Sequence, residues 1–233
     1  MSSILLNHPL GLGDHIACNG LVREYCKKYE RVGLFCSPNN EPSVSFMYRD
    51  VRNFKLHTIR SHAEVARFSF WNRLRLSSVH YDSILPIGSF DPESGVKYER
   101  QFYNSAGLPL ETLWDSFFVK RDAERERALS KKMGTQGFYI FLHDDTRFPI
   151  IQDKIHSNFA VVRPDQHLTN NIFDYGDVLE HAEEIHVIDS SFMFLVDCLP
   201  YTNPRQQLFV HRYARENMEW NLPILKKNWH IIV

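Results

Sequence analysis

Near its N-terminus the chain reads Leu6-Asn-His-Pro-Leu-Gly-Leu-Gly-Asp-His15, directly after a short apolar run that begins at Ile4. A short apolar run is typical of a buried parallel strand, and the spacing of apolar residues from Asp14 to Tyr29 predicts a helix. Two glycines between a strand and a helix let the backbone approach a ligand closely, although Gly11 and Gly13 could equally form only a tight turn. The stretch therefore predicts an α/β fold whose first turn is a candidate binding element.

Composition excludes several classes of protein. The 233 residues are 43% hydrophobic and 24% charged with a net charge of −1, which is ordinary for a globular protein and argues against disorder. Because Lys and Arg are scattered, the chain as a whole lacks the positive electrostatic potential needed for tight non-specific binding to nucleic acid or membranes. The four cysteines form no CxxC pair, which favours buried free thiols. We find no membrane span or signal-peptide pattern and expect a cytoplasmic protein.

Strand-like and helix-like segments alternate along the chain in two series, which predicts βαβ units on parallel sheets. A strongly polar segment from Arg121 to Met133 separates the two series and is followed by Gly134. We therefore predict two small α/β lobes, residues 1–134 and 135–233. The predicted strands are Ile4–Leu6, Val32–Cys36, Phe54–Ile59 and Ser83–Ile87 in the first lobe, and Phe138–Leu142, Phe159–Val162, Ile185–Ile188, Gln207–His211 and His230–Val233 in the second.

The first turn carries two ionisable residues, Asp14 and His15. It does not fit a dinucleotide-binding turn, because Ile16 stands where the third glycine of that motif belongs and the second predicted strand ends at Cys36 without an acid for a ribose. A carboxylate at the carboxyl end of a first strand faces the crevice where open α/β sheets bind ligands. We predict that Asp14 is a general base, with His15 beside it in a catalytic site. The alternative is that Asp14 only caps the helix.

A second site is predicted where the strand Ile185–Ile188 breaks into an apolar helix at Asp189, Ser190, Ser191 and Phe192. The backbone N–H groups at such a helix start, two hydroxyls and the helix dipole together favour a phosphate. Serine is also a common N-cap, so capping alone is the alternative at this position.

Three more side chains lie just beyond predicted strand ends of the second lobe. If the strands are parallel neighbours, Arg147 and Arg163 converge on the end where Ser190 lies, and arginine suits bidentate phosphate binding. His143 is expected to contact the same ligand. The run His143-Asp-Asp145 also admits a metal site, but adjacent residues on a strand end point in different directions and no third ligand is evident.

Two of these stretches resemble the signatures of one enzyme class. Gly11-Leu-Gly-Asp-His15 and Ile188-Asp-Ser-Ser-Phe-Met-Phe-Leu-Val-Asp197 resemble the N- and C-terminal motifs of GT-B-fold glycosyltransferases, most closely the ADP-heptose:lipopolysaccharide heptosyltransferase group and its small relatives. The resemblance implies two Rossmann-like lobes with parallel sheets and a cleft between them, the acceptor held mainly by the first lobe and the sugar nucleotide by the second. Asp14 then matches the proposed catalytic base, and Ser190 and Ser191 match the diphosphate-binding turn.

The expected activity is transfer of a sugar from a nucleotide-diphosphate sugar to the hydroxyl of a glycan, glycolipid or glycoprotein, with inversion and without a metal or other cofactor. The alternatives are a sugar-nucleotide epimerase or hydrolase of the same architecture, and a non-catalytic module that binds nucleotide or glycan. The residues expected to bind the nucleotide sugar are Gly11, Gly13, His143, Arg147, Arg163, Asp189, Ser190, Ser191 and Phe192.

Overall fold

The structure is a computed structural model that describes residues 2–76, 79–88, 96–155, 157–201, 203–215 and 222–233. The chain divides into two compact units, Met1–Lys120 and Arg121–Val233. Each unit is built on a parallel sheet, so the prediction of two Rossmann-like α/β lobes with parallel sheets is confirmed. No described helix is long and apolar enough to cross a membrane.

The first unit contains a four-stranded parallel sheet in the order β3-β2-β1-β4. Its core is built from the inner strands, where Leu5, Leu6 and Leu34 are fully buried. The strands are β1 (Ser3–Asn7), β2 (Arg31–Cys36), β3 (Phe54–Thr58) and β4 (Ser83–Pro86). The helices are α1 (Leu12–Ala17), α2 (Asn19–Lys28), α3 (Glu41–Met47), α4 (His62–Arg73), α5 (Tyr98–Ser105) and α6 (Thr112–Asp115), with a 3₁₀ turn at Pro38–Asn40.

The second unit contains a five-stranded parallel sheet in the order β6-β5-β7-β8-β9. Residues Ile140, Leu142 and Ile188 form part of its core. The strands are β5 (Tyr139–His143), β6 (Ala160–Val162), β7 (Glu184–Val187), β8 (Gln207–His211) and β9 (Trp229–Ile232). The helices are α7 (Ala123–Met133), α8 (Gly176–His181) and α9 (Ser191–Cys198), with 3₁₀ turns at Gln152–Lys154, Ile172–Tyr175 and Arg212–Arg215.

The division between the units falls one helix earlier than the predicted boundary at 134/135. Helix α7 belongs to the second unit, because Arg125 donates to the buried carboxylate of Asp174 over 3.0 and 2.7 Å. Asp174 is therefore an ion-pair partner of Arg125. The cap at this point is Asn171, whose side chain accepts from the backbone N–H of Phe173.

The helix predicted from Asp14 to Tyr29 is two helices that meet at Cys18. The first begins at Leu12 with Gly11 as its N-cap, so Asp14 lies inside the first turn and is not the N-cap residue. The cysteines are free thiols; Cys18, Cys36 and Cys198 are buried and Cys26 is half-buried.

Candidate functional site

Strand order identifies one candidate site in each unit. In open α/β sheets ligands bind beyond the carboxyl ends of the strands, at the point where the strand order reverses. In the first sheet that point lies between β1 and β4, and in the second it lies between β5 and β7. The turn after β1 carries Asp14, while β5 ends at His143 and β7 runs into Ser190.

Asp14 is the ionisable group of the first site. Its half-buried carboxyl accepts hydrogen bonds from the Tyr98 side chain and from the backbone of Gly11. The second contact is an acid in the first turn reaching back to the N-cap, which satisfies a backbone donor that the helix leaves unpaired. Burial raises the pKa of Asp14 to about 6, although both hydrogen bonds oppose that rise. The carboxylate is therefore charged at neutral pH and more basic than an exposed aspartate.

Gly11 is required by the position of that carboxylate. A Cβ atom at residue 11 would lie 2.6 Å from Asp14 Oδ2, which is closer than real Cβ atoms approach. Gly13 lies within α1, directly before Asp14. Both glycines were assigned to nucleotide-sugar binding from the sequence, and the close contact that the structure gives Gly11 is with the candidate base.

His15 is buried beneath the same turn. Its ring centroid lies 4.4 Å from that of the buried His8, edge to face, and neither ring nitrogen of His15 has a hydrogen-bond partner among the described residues. Burial lowers the pKa of His15 well below its usual value and that of His8 to about 4. Both rings are therefore neutral, and His15 offers no exposed group to a substrate in this conformation.

The second site centres on a contact between two strand ends. His143 Nδ1 lies 3.0 Å from Ser190 Oγ, and the His143 ring packs 4.6 Å from that of Phe192. Ser190 is the N-cap of α9 by position, with extended backbone, but its side chain makes no capping hydrogen bond. The alternative that Ser190 only caps the helix is therefore wrong, since its hydroxyl meets His143 instead. The start of α9 keeps N–H groups that this hydroxyl does not cap, beside the half-buried Ser191.

His143 is neutral, so positive charge at this site has another source. Burial lowers the pKa of His143 to about 4, against the opposing effect of Asp144 and Asp145. The neutral ring can orient the Ser190 hydroxyl or accept a proton from a ligand, but it supplies no charge for an anion at neutral pH.

Two arginines that the sequence reasoning missed lie in the 3₁₀ turn directly after β8. Arg212 forms an ion pair with the carboxylate of the buried Asp189, and Arg215 donates to the backbone carbonyl of the same residue. Arg215 Nε is buried with no hydrogen-bond partner among the described residues, and the guanidinium lies 4.9 Å from the Phe148 ring centroid. The rule that singled out arginines beyond strand ends applies equally here, because β8 ends at His211.

The structure pairs the two predicted arginines with neighbouring acids. Arg163 forms an ion pair with Asp144, whose other oxygen accepts from the Ile150 N–H over 3.0 Å. The Arg147 guanidinium lies on Asp145, with Nη2 to Oδ2 2.8 Å, and its side chain is 74% exposed. Both arginines follow the expected strand ends, but the contacts seen here are with these aspartates and not with Ser190.

A series of hydrogen bonds links the 3₁₀ turn after β8 to side chains of β8 and β7. Ile151 N–H donates to the Tyr213 hydroxyl over 2.8 Å, and that hydroxyl lies 3.1 Å from His211 Nδ1. His211 Nε2 lies 2.8 Å from His186 Nδ1, and His186 Nε2 lies 2.9 Å from Glu184 Oε2. Both rings are buried. These hydrogen bonds fix Tyr213 from two sides and so hold the turn that carries Arg212 and Arg215.

Within the described parts of the chain, no group of three or more His, Cys, Asp or Glu side chains is arranged to hold a metal ion. The run His143-Asp-Asp145 is instead divided among other partners. His143 faces Ser190, while Asp144 and Asp145 face Arg163 and Arg147.

Comparison with known proteins finds likeness in structure and none in sequence. No family model matches the chain, and no curated protein matches it. A glycosyl transferase family 9 protein from Veillonella parvula superposes with a TM-score of 0.58 at 8% identity over 90% of this chain and 81% of that one. The E. coli ADP-heptose lps heptosyltransferase II superposes with a TM-score of 0.51 at 11% identity over 90% and 84%.

A third match is the iron-containing dodecameric glycosyltransferase TibC of enterotoxigenic E. coli, with a TM-score of 0.52 at 10% identity over 89% of this chain and 58% of that one. At such low identity these likenesses establish the fold alone. The resemblance to GT-B-fold glycosyltransferases of the heptosyltransferase group is thus confirmed at the level of the fold.

Proposed function

We propose that this protein is a glycosyltransferase that moves a sugar from a nucleotide-diphosphate sugar to an acceptor hydroxyl, with inversion and without a metal. The observation that carries the proposal is the second site, where His143 and Ser190 meet beside the uncapped start of α9 and a buried, unpartnered Nε of Arg215. These donors suit a diphosphate, and the chain shares the fold of solved glycosyltransferases.

The second unit would hold the donor. Breaking the bond between the sugar and the diphosphate places negative charge on the departing phosphate oxygen, so donors already aimed at that oxygen lower the barrier. The α9 N–H groups, the Ser190 and Ser191 hydroxyls and Arg215 would supply them. Arg212 neutralises Asp189, which keeps a buried carboxylate from repelling the phosphates.

The first unit would activate the acceptor. Asp14 would take the proton of the attacking hydroxyl as its oxygen bonds to the anomeric carbon and the diphosphate leaves, and one displacement inverts that carbon. A pKa of about 6 suits this role, because the group is deprotonated at neutral pH yet more basic than an ordinary aspartate. We expect kcat/KM to fall as the pH drops below about 6, where the base becomes protonated.

The test measures nucleotide-diphosphate release from a panel of UDP-, GDP- and ADP-sugars with and without candidate acceptors, after a thermal-shift screen has identified the nucleotide. We expect release that depends on the acceptor. Asp14→Asn should lower kcat by about 10²–10⁴-fold while nucleotide affinity stays unchanged. The matched control is Asp122→Asn, which keeps a good capping residue at the start of α7 and should leave turnover unchanged.

Each other outcome has its own meaning. Release without any acceptor indicates a hydrolase or epimerase of the same architecture. Binding without release from every donor indicates a non-catalytic module. Full turnover by Asp14→Asn removes Asp14 from the role of base.

A further inference from the structure

Helix α4 is apolar on two opposite faces. Val65 and Phe68 pack against the core of the first unit, with Phe68 5.3 Å from the Phe35 ring centroid. A surface helix normally carries polar residues on its other side. Here Phe70, Trp71 and Leu74 lie on the outer side and are 57%, 43% and 48% exposed. The outer face therefore presents apolar side chains to solvent.

The end of α4 extends this apolar surface. Arg75 has a φ of 58°, a left-handed conformation usually taken by glycine. Its N–H donates to the Asn72 carbonyl over 3.0 Å, and the Leu76 N–H donates to the Trp71 carbonyl over 2.9 Å. This Schellman turn brings Leu76, which is 66% exposed, back toward Trp71, and both line one groove of about 540 Å³. A strained turn thus keeps Leu76 with the exposed aromatic residues.

Arginines surround these apolar side chains. We call the whole surface the α4 patch, which consists of Arg67, Phe70, Trp71, Arg73, Leu74, Arg75 and Leu76. Lys and Arg are scattered over the chain as a whole, which argues against membrane binding through overall charge, but three arginines gather locally here. Between Arg67 and Leu76 the sequence contains no Asp or Glu, although the chain as a whole has a net charge of −1. Among the described residues none of these three guanidinium groups forms an ion pair. The nearest acid along the helix is Glu64, whose Oε2 accepts from the Arg60 N–H over 2.9 Å.

We propose that the α4 patch binds the surface of an anionic lipid bilayer. Aromatic and leucine side chains enter the boundary between headgroups and acyl chains, a tryptophan indole lies at headgroup level, and arginines contact lipid phosphates. Charge complementarity selects an anionic surface. A protein interface typically carries a hydrogen bond for about every 100–200 Å². The hydrogen-bonding side chains of the patch are its arginines and Trp71, since Asn72 on the same helix is buried and bonded to the Tyr81 backbone. Guanidinium and indole N–H groups are all donors, which suits a layer of lipid phosphates better than a protein interface that mixes donors and acceptors.

The test is co-sedimentation of the full chain with vesicles of phosphatidylcholine alone and of phosphatidylcholine mixed with phosphatidylglycerol in equal parts. We expect binding to the anionic vesicles, reduced by salt because exposed charges are screened. The pair Arg73→Gln and Arg75→Gly should lower the partition coefficient on the order of tenfold or more. Glycine at residue 75 preserves the left-handed turn, so the loss reports charge and not backbone shape.

The apolar half of the patch is tested by Phe70→Ser together with Leu74→Ser. Both side chains are exposed, so the melting temperature should stay unchanged while vesicle binding is lost. Phe138→Ser, which removes an equally exposed aromatic residue of the second unit, is the matched control and should bind like the wild type. Equal binding by all variants, no binding to anionic vesicles, or a stable complex with a second copy or an acidic protein through this patch would overturn the proposal. None of these assays uses a sugar donor, so their outcome is independent of the proposed transferase activity.

Discussion

The two strand-end sites occupy corresponding places in their sheets but have opposite electrostatic character. The first holds an acid whose surroundings disfavour its charge, since burial raises the pKa of Asp14 to about 6. The second holds donors and cations, and the acid among them, Asp189, is neutralised by Arg212. One site is therefore suited to take up a proton and the other to hold negative charge. The two units share a fold, so the electrostatic character of each site is determined by the few side chains beyond the strand ends.

The sites also differ in how far apart their residues lie in the sequence. Asp14 and Gly11 lie in one turn, with Tyr98 as a distant partner of the carboxyl, whereas the second site joins His143, Ser190 and Arg215 from three separate strand ends. A local site is accessible to pattern reading, and an assembled one depends on the order of the strands.

The comparison of the two sites fails if the first does not depend on the Asp14 carboxylate. Gly11→Ala tests this dependence and is expected to cause the largest loss of activity among the variants that test the comparison. The new methyl group would lie 2.6 Å from Asp14 Oδ2, so the carboxylate must move, and a displacement near 1 Å costs about 10²-fold in rate. Residue 11 is exposed with a φ of −66°, which alanine adopts freely, so the fold should persist, and the melting temperature should fall only modestly because alanine is a poorer N-cap than glycine. Steady-state kinetics and thermal unfolding check both expectations.

The control for this experiment is the double variant Gly11→Ala with Asp14→Asn. If the glycine acts through the carboxylate, the double variant loses no more activity than Asp14→Asn alone. Additive losses would show that Gly11 contacts the substrate directly.

A smaller effect is expected from Arg215→Ala in the second site. Loss of a charged donor to phosphate costs about 1.5–3 kcal/mol, so the Kd for the nucleoside diphosphate should rise about tenfold to a hundredfold. Arg147→Ala is the matched control, because that side chain is 74% exposed and paired with its neighbour Asp145, and it should leave the Kd unchanged. Calorimetric titration measures both. A larger loss in Arg147→Ala than in Arg215→Ala would reverse the assignment.

The last effect concerns stability and not activity. The pKa of Asp14 is raised in the folded state, so the folded protein is penalised for the charge at neutral pH and not below about pH 4, where the unfolded chain also holds the proton. Asp14→Asn should therefore stabilise the protein by up to about 3 kcal/mol at pH 7.5, since one pKa unit corresponds to about 1.36 kcal/mol. The gain should shrink as the pH falls from about 6 to about 4. An equal gain at pH 4 and pH 7.5 would exclude ionisation as the cause.

Apolar runs and their alternation with helices predict much of the fold. The predicted strand Gln207–His211 has the observed limits, and the other strands agree within one or two residues. The break at Cys18 is not predictable from periodicity, because the apolar spacing continues through it. The role of Asp174 is equally hidden, since its partner Arg125 lies 49 residues away.

Part of the candidate site is predictable from the sequence, because its residues lie close to the predicted strands. Asp14 and Ser190 lie where a strand leads into a helix, and strand ends are where α/β proteins bind ligands. The role of an arginine beyond a strand end is ambiguous, because it can form an ion pair with an adjacent acid instead of binding a ligand. Arg147 forms such a pair with Asp145. Similarly, the sequence of α4 does not reveal which of its two apolar faces packs on the sheet.

The series of hydrogen bonds from Tyr213 to Glu184 determines which tautomers His211 and His186 adopt. Glu184 can only accept while it is ionised, so His186 carries its hydrogen on Nε2, and the contact with His186 Nδ1 then places the His211 hydrogen on Nε2 as well. Burial lowers the pKa of His211 to about 4, so this ring carries one hydrogen at neutral pH. Nitrogen NMR should therefore show the neutral His211 imidazole locked in one tautomer, with its hydrogen on Nε2, and replacing His186 should release it.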